Sequence, residues 1–293
     1  MNNIKGMGWL PDYPDLRDYT ITNEKIKPIL KKVNMKPFMP PVKINLPDLI
    51  NLTEWCSPIE DQGNLGSCCP QAGIGVAEYY QKRAFGKYLD ASRLFLYKTT
   101  RNLLHLTGDT GAYLRTTMAA LVLFGIPPEE YWPYTDKKPD FDREPSAFCY
   151  SFARNYQTIR YLRLDPPQLP TPEVLYWIKL FLAFGFPSMF GFTVYSSIRG
   201  VGSDGKIPYP CPGESILGGH GIGVYGYRDK IKIKNPNCNK ETTGAFLIRN
   251  SWGEDWGDKG YGWLPYQYVL VGLAQDFWTV LKSEWVDTGK FGL

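Results

Sequence analysis

The chain has 293 residues, 43% of them hydrophobic and 21% charged, with a formal net charge of +4. That length can bury a substantial core, as one large or two modest domains. The small net charge, with no basic run interleaved with aromatic residues, argues against a nucleic acid as partner. Six cysteines are too few for a disulfide scaffold, so a reducing compartment is expected.

The first 45 residues read as an N-terminal extension. The run Lys36-Pro37-Phe38-Met39-Pro40-Pro41 favours extended or polyproline II backbone. At most one short helix is predicted, near residues 23–32. The extension contains no apolar run long enough for a signal peptide.

The apolar stretch at residues 174–192 does not predict a membrane span. Lys179, Gly185 and Pro187 interrupt it, so it reads as a helix, a turn and a strand. With neither a signal peptide nor a membrane span in the sequence, we expect no membrane as partner and a cytoplasmic location.

Residues 46–154 are predicted to be mostly helical. Apolar residues at helical spacing indicate helices at residues 69–84, 91–104 and 113–124. The third helix is predicted to end at Gly125, which two prolines follow closely.

From residue 155 to residue 293 strand-like segments replace most of the helices. Apolar and alternating runs between Gly, Pro and Asn residues indicate strands at residues 158–164, 188–195, 221–227, 245–250 and 261–264. The sequence therefore predicts an α+β protein, with a helical domain at residues 46–154 and a β-rich domain at residues 155–293.

A candidate nucleophile stands where a loop meets the first predicted helix of the helical domain. Residues 61–70 read DQGNLGSCCP, so the thiol of Cys68 lies at a helix start. Unpaired amide N–H groups and the helix dipole favour thiolate over thiol there. Gln62, across a flexible loop, could place an amide N–H₂ group on the oxyanion formed when a thiolate attacks a carbonyl. The alternative is an inert buried cysteine at a loop–helix junction.

Few groups could serve as the base, because the chain has only two histidines. His220 lies in a glycine-rich strand, whereas His105 lies at a predicted helix end and is expected to be structural or exposed. Asn250 ends a short apolar strand, and its side chain could orient an imidazole. Trp252 follows and could keep water away from that contact.

The order Gln62, Cys68, His220, Asn250, with Asn250 in N-S-W-G and His220 in G-G-H, resembles the papain-like cysteine proteases. His220 follows Cys68 at close to the interval of roughly 130–150 residues expected for this family. Asn250 lies farther along, which an insertion between strands at residues 228–243 would explain.

The resemblance implies a papain-like fold, with a helical left domain, an antiparallel β-barrel-like right domain and the active site in the cleft between them. It implies that Gly111, Gly219 and Trp252 contact the substrate. In this family an N-terminal extension is usually an inhibitory propeptide. Residues 1–45 are therefore expected to approach the cleft, either as an inhibitory segment or as a permanent belt.

The chain departs from the C-G-S-C-W pattern that papain-like enzymes usually carry around the nucleophile. Leu65 replaces a cysteine that forms a disulfide in most secreted relatives, so that crosslink is absent. Cys69 replaces an aromatic residue. The spacing from Gln62 assigns the nucleophile to Cys68, and Cys69 is expected to point into the core of the helical domain.

The expected function is hydrolysis of a peptide or protein substrate through a Cys68 thiolate and a thioester intermediate, and the enzyme could be made as a zymogen. Two alternatives stay open: a transpeptidase or ligase that uses the same residues, and a catalytically silent binding module. No cofactor is implied. The two histidines are far apart and no C-x-x-C motif occurs, so no zinc site is expected.

Overall fold

The computed structural model describes residues 4–35, 44–154 and 160–293. Its helices are α1 (Lys27–Lys32), α2 (Cys68–Phe85), α3 (Arg93–Leu103), α4 (Leu114–Phe124), α5 (Ala147–Ala153), α6 (Thr171–Ala183), α7 (Gln267–Leu270) and α8 (Ser283–Val286). Its strands are β1 (Trp9–Leu10), β2 (Leu49–Asn51), β3 (Ala112–Tyr113), β4 (Arg160–Arg163), β5 (Ser188–Tyr195), β6 (Ile216–Lys234), β7 (Glu241–Arg249), β8 (Tyr261–Pro265) and β9 (Ala274–Leu281).

Helix α2 is the central element, because it packs against α3 and α4 on one side and against β5 and β6 on the other. It is buried along most of its length. Pro70 lies in its first turn, where a missing N–H costs no helical hydrogen bond. Gly86 ends it with φ +73°, a left-handed conformation that glycine adopts without strain. The predicted helix at residues 69–84 is confirmed.

The main sheet has the strand order β4-β9-β5-β6-β7-β8, and β2 pairs with β6 outside that path. All these pairings are antiparallel. Together with the helices around α2, the sheet makes the predicted α+β class correct. Among the described residues, no helix is both long and apolar enough to cross a bilayer.

Residues 228–243 differ from expectation, because most of them lengthen β6 and β7 instead of forming an insertion between strands. Ile231 and Ile233 are buried while the lysines between and beside them are mostly exposed, which is the two-residue period of a half-buried strand. A disulfide joins Cys238, in the turn of this hairpin, to Cys211. This crosslink was not expected, because the sequence had suggested a reducing compartment.

The other predicted elements of the β-rich half agree within a few residues where the chain is described. The predicted strand at residues 158–164 appears as β4; residues 155–159 lie outside the described part. The run Lys36-Pro37-Phe38-Met39-Pro40-Pro41 also lies outside it. Strand β9 and helices α5, α7 and α8 were not predicted.

The N-terminal region contributes to the core as well as to the surface. Ile26, Ile29 and Leu30, in and beside α1, are buried in the main hydrophobic cluster. Ahead of them, residues 4–12, called the strap below, run across loop 61–66, and β1 within the strap pairs in parallel with β3. The first part of the chain is therefore built into the fold.

Candidate active site

Cys68 is the first residue of α2, and its side chain is fully buried. The thiol faces the start of β6, where the Gly221 N–H group donates to Cys68 Sγ at 3.2 Å. The amides and the dipole of the first helical turn stabilise negative charge at this position. The structure thus places this sulfur where a helix end meets the sheet.

The pKa values of the two adjacent thiols, Cys68 and Cys69, are shifted in opposite directions. Burial raises the pKa of Cys68, but the neighbouring Cys69 and His220 side chains, the His220 charge and the Gly221 N–H group together hold that pKa well below its ordinary value. Burial and the neighbouring Cys68 sulfur raise the pKa of Cys69 well above the ordinary value. Cys69 donates to the carbonyl of Ala112 at 3.3 Å. Of the two thiols, Cys68 is therefore the one whose surroundings favour the thiolate.

His220 and Asn250 meet across β6 and the end of β7. His220 Nε2 and Asn250 Oδ1 are 2.7 Å apart, and both side chains are buried. The Trp252 ring stacks on the imidazole, with 4.6 Å between centroids and 30° between planes. With Nε2 engaged by the amide, Nδ1 is the nitrogen left for Cys68, so the ring orientation suits proton transfer to and from the thiol.

Gln62 is fully buried, and its amide is oriented from both ends. Its Oε1 accepts from Ser251 Oγ at 2.6 Å, which leaves Nε2 as the donor end of the amide. Nε2 donates to the carbonyl of Leu65 at 2.7 Å and to that of Gly6 at 2.9 Å. Ser251 was not selected from the sequence, although it lies beside Asn250 in the N-S-W-G motif.

Gly111 and Gly219, two of the predicted substrate contacts, have different neighbours in the structure. The Gly111 N–H group donates to the Tyr97 hydroxyl at 3.2 Å, whereas the next N–H group, that of Ala112, donates to the Gly8 carbonyl at 2.7 Å. Gly219 lies against Trp9, since a Cβ there would be 2.6 Å from the Trp9 carbonyl oxygen. The backbone N–H group that donates to the strap is thus that of Ala112. The sequence had pointed to its neighbour Gly111, and nothing in the sequence indicated Ala112 instead.

The strap covers the cleft at close range. A Cβ on Gly6 would lie 2.1 Å from the Leu65 carbonyl oxygen, and one on Gly8 would lie 2.1 Å from that of Gly66. The Gly6 N–H group also donates to the Gly63 carbonyl at 3.0 Å. Only glycine allows this approach, because any side chain would meet backbone atoms. The strap thereby accepts hydrogen bonds from Gln62 Nε2 and from the Ala112 N–H group.

His105 lies apart from this arrangement, exposed just beyond α3 with φ +55°. In the described ranges, no group of three or more His, Cys, Asp or Glu side chains is placed to hold a metal ion. The chemistry that the site itself offers is that of a cysteine with a lowered pKa near an oriented imidazole, with the Gln62 amide as a further hydrogen-bond donor.

Comparisons with known proteins agree with this chemistry. A family model described as papain family cysteine protease matches residues 184–279. An uncharacterised peptidase C1-like protein of Acanthamoeba polyphaga mimivirus is 32% identical over 286 residues, which cover 94% of this chain and 86% of that protein. Cathepsin K of Gallus gallus is 27% identical over 71% of this chain, which spans 54% of its length. Xylellain, a cysteine protease from Xylella fastidiosa, has a crystal structure similar to this one, with a TM-score of 0.74, 32% identity and coverage of 94% of this chain and 96% of that one.

Proposed function

Because this chain belongs to the papain family of cysteine proteases, with the papain-like fold, we propose that Cys68, His220, Asn250 and Gln62 carry out its peptidase chemistry. The chain is a cysteine peptidase and thus a hydrolase. The observation that carries the residue assignment is the 2.7 Å bond between His220 and Asn250, beside a cysteine whose pKa is strongly lowered.

In the proposed reaction the Cys68 thiolate attacks the substrate carbonyl carbon, and the π electrons move onto the carbonyl oxygen. Gln62 Nε2 and the Cys68 backbone N–H group stabilise the resulting oxyanion. When the tetrahedral intermediate collapses, the C–N bond breaks and the His220 imidazolium gives its proton to the leaving amine. His220 then takes a proton from water, which attacks the thioester and releases the acid and the thiolate.

Asn250 and Trp252 would act through His220. The amide oxygen fixes the plane and protonation of the ring, and the stacked indole covers the hydrogen bond between them. Gly111 and Gly219 remain proposed substrate contacts, and the Ala112 N–H group joins them because it is the donor that the strap uses.

We further propose that the strap makes this form of the chain a zymogen. Gly6 places its carbonyl on Gln62 Nε2, the donor assigned to the oxyanion, and Gly8 takes the Ala112 N–H group. A substrate needs both donors, so substrate and strap compete for the cleft. The division into an extension (residues 1–45), a helical domain (46–154) and a β-rich domain (155–293) likewise remains a proposal.

The cytoplasmic location stays a prediction that rests on the sequence. The disulfide between Cys211 and Cys238 points the other way, because disulfides persist in oxidising compartments and are rare in the cytosol. The two possibilities can be distinguished by counting the alkylated cysteines, by intact mass, in protein isolated without reductant. Four alkylated cysteines support the disulfide, and six support a reducing compartment.

Hydrolysis of a mixed fluorogenic peptide library tests the assignment of residues. The unaltered chain, Cys68→Ala and Cys69→Ala should be compared after partial release of the strap. We expect Cys68→Ala to abolish turnover and Cys69→Ala to retain it. Full loss in Cys69→Ala with turnover kept in Cys68→Ala would overturn the assignment. Products that carry an added amine nucleophile in place of water would show the ligase alternative.

A further inference from the structure

Cys68 and Cys69 place two thiols side by side at the candidate active site, and the proposed reaction uses only one of them. Both side chains are fully buried, and both thiols are free. Cys69 donates to the Ala112 carbonyl at 3.3 Å and takes no part in the peptidase steps proposed above. It is therefore a buried nucleophilic group, next to the reactive one, that still lacks an assigned role.

The two sulfur atoms converge on Gly221 of β6. The Gly221 N–H group donates to Cys68 Sγ at 3.2 Å, and a Cβ on Gly221 would lie 2.9 Å from Cys69 Sγ. Each thiol also shifts the pKa of the other, which reflects their closeness in one buried space. Because Gly221 has no side chain, β6 places no group between the two sulfurs.

The backbone that carries the two thiols can be rearranged at low cost. Cys68 and Cys69 are the first two residues of α2, where backbone N–H groups have no acceptor within the helix. Pro70 follows, and a proline disfavours the helical conformation for the residue before it. A disulfide between adjacent cysteines closes a small ring and needs a rotation of the peptide between them. At this helix start that rotation disrupts few helical hydrogen bonds.

We propose that Cys69 is a resolving thiol: a hydroperoxide oxidises Cys68, and Cys69 then closes a Cys68–Cys69 disulfide that stops the enzyme reversibly. This inference rests on the proposed function in one respect, since it takes Cys68 as the reactive thiolate. The disulfide protects Cys68 from further oxidation, because a sulfenic acid that meets no thiol goes on to sulfinic acid, which thiols do not reduce.

The first step consumes the hydroperoxide. The Cys68 thiolate attacks one peroxide oxygen, so that an S–O bond forms and the O–O bond breaks. The leaving hydroxide or alkoxide takes the proton of the His220 imidazolium and departs as water or an alcohol. Cys68 is then a sulfenic acid.

The second step forms the crosslink. The Cys69 sulfur attacks the Cys68 sulfur, the S–S bond forms and the S–O bond breaks. The released hydroxide takes the Cys69 proton and leaves as water. The two thiols together lose two electrons, and the hydroperoxide gains them. A small dithiol or another reducing thiol reverses the crosslink by exchange.

Oxidation of Cys68 prepares Cys69 for this second step. The neighbouring Cys68 sulfur is one of the causes that raise the pKa of the Cys69 thiol. A sulfenic acid is neutral, so the charge of the Cys68 thiolate disappears once that sulfur is oxidised, and the thiolate form of Cys69 becomes easier to reach. Before oxidation Cys69 stays protonated and does not compete with Cys68 for a substrate.

The test reads masses and needs no substrate. Full-length Gly8→Ala, with its strap weakened, and the same protein with Cys69→Ser are treated with a small excess of hydrogen peroxide, denatured and alkylated. With Cys69 present, we expect the four alkylated cysteines to fall to two. The peptide with both cysteines should be about 2 Da lighter than its reduced form, and dithiothreitol should restore it. With Cys69→Ser, we expect Cys68 to become about 32 Da heavier as sulfinic acid, which dithiothreitol leaves unchanged.

Cys149→Ser in the same background is the matched control. Cys149 is also a buried free cysteine, but it contacts Ser146 and the Tyr131 carbonyl. It should form the disulfide as fast as the parent protein. After peroxide and then dithiothreitol, labelling of Cys68 by the epoxysuccinyl inhibitor should recover at least about tenfold more with Cys69 than with Cys69→Ser. Equal recovery, or sulfinic acid at equal rates, would overturn the proposal.

Dimedone, which traps sulfenic acids, gives a second comparison. Added with the peroxide, it should label Cys68 at least about tenfold more in Cys69→Ser than in the protein whose adjacent thiol intercepts the sulfenic acid. Cys69→Ala replaces the serine variant if that variant does not fold, and longer exposure of the unaltered chain replaces Gly8→Ala. Equal dimedone labelling contradicts the resolving thiol and leaves the peptidase assignment standing. Absence of peptide cleavage before oxidation contradicts the peptidase assignment, while the masses still decide the resolving thiol.

Discussion

Replacing Gly8 by alanine should lift the strap from the cleft and expose Cys68. The new Cβ would lie 2.1 Å from the Gly66 carbonyl oxygen and 2.7 Å from its Cα, and backbone cannot give way as a flexible side chain does. Three hydrogen bonds then weaken: Ala112 N–H to Gly8 at 2.7 Å, Gln62 Nε2 to Gly6 at 2.9 Å and Gly6 N–H to Gly63 at 3.0 Å. At about 1 kcal/mol each they contribute about 3 kcal/mol, or roughly a hundredfold in the equilibrium between closed and open cleft.

The assay is the rate at which an epoxysuccinyl thiol-protease inhibitor labels the protein, followed by intact mass. The labelling rate of Gly8→Ala should rise by up to about a hundredfold over that of the unaltered chain. Gly200→Ala, with no atom within 4 Å of its Cβ, should label at the unaltered rate. Gly6→Ala, with a Cβ 2.1 Å from the Leu65 carbonyl oxygen, should reproduce the effect. Unchanged rates in both strap variants, with unchanged thermal unfolding, would refute strap control of access.

Three further outcomes are expected. Burial and the Asp276 charge raise the pKa of Asp12 to about 7, so the docked strap holds a proton that the free strap loses. Docking is therefore strongest at acid pH and weakens as pH rises from about 4 to about 7; labelling should increase over that window, and Asp12→Asn should flatten the increase. Asn250→Ala should lower kcat/KM by roughly a hundredfold through a misoriented imidazole, and an unchanged value would contradict its orienting role. Breaking the crosslink of Cys211 and Cys238, 27 residues apart, by serine at both positions should lower the free energy of unfolding in urea by about 3.5 kcal/mol, and no loss would mean that the hairpin is held by its strands alone.

The residues proposed for catalysis could be selected from the sequence because each of them stands in a short local pattern. Cys68 follows a turn and begins a helix, His220 stands among glycines in a strand, and Asn250 ends an apolar strand. Local spacing sets these positions, and the fold only has to bring together the start of α2, a residue within β6 and the residue after β7. The helices and strands could be predicted from the sequence for the same reason, since apolar periodicity is a local property.

The partners of the strap could not be predicted, because they depend on contacts between residues far apart in the chain. Trp9 meets Asp276 across a separation of 267 residues, and nothing near either one signals the pairing. Ser251, which orients Gln62, is likewise separated from it by 189 residues. The lysine–isoleucine alternation at residues 230–234 did carry a local strand signal, but its high charge suggested an insertion instead.

The measurement that tests the central claim most directly is the position of the label in the unaltered chain and in Gly8→Ala. After brief exposure to the epoxysuccinyl inhibitor, the protein is digested and each cysteine peptide is mapped. We predict one adduct, on Cys68, formed slowly in the unaltered chain and quickly in Gly8→Ala, with Cys69 unmodified because its pKa is raised. An adduct on Cys69, or no adduct in Gly8→Ala, would contradict an activated Cys68 beneath the strap.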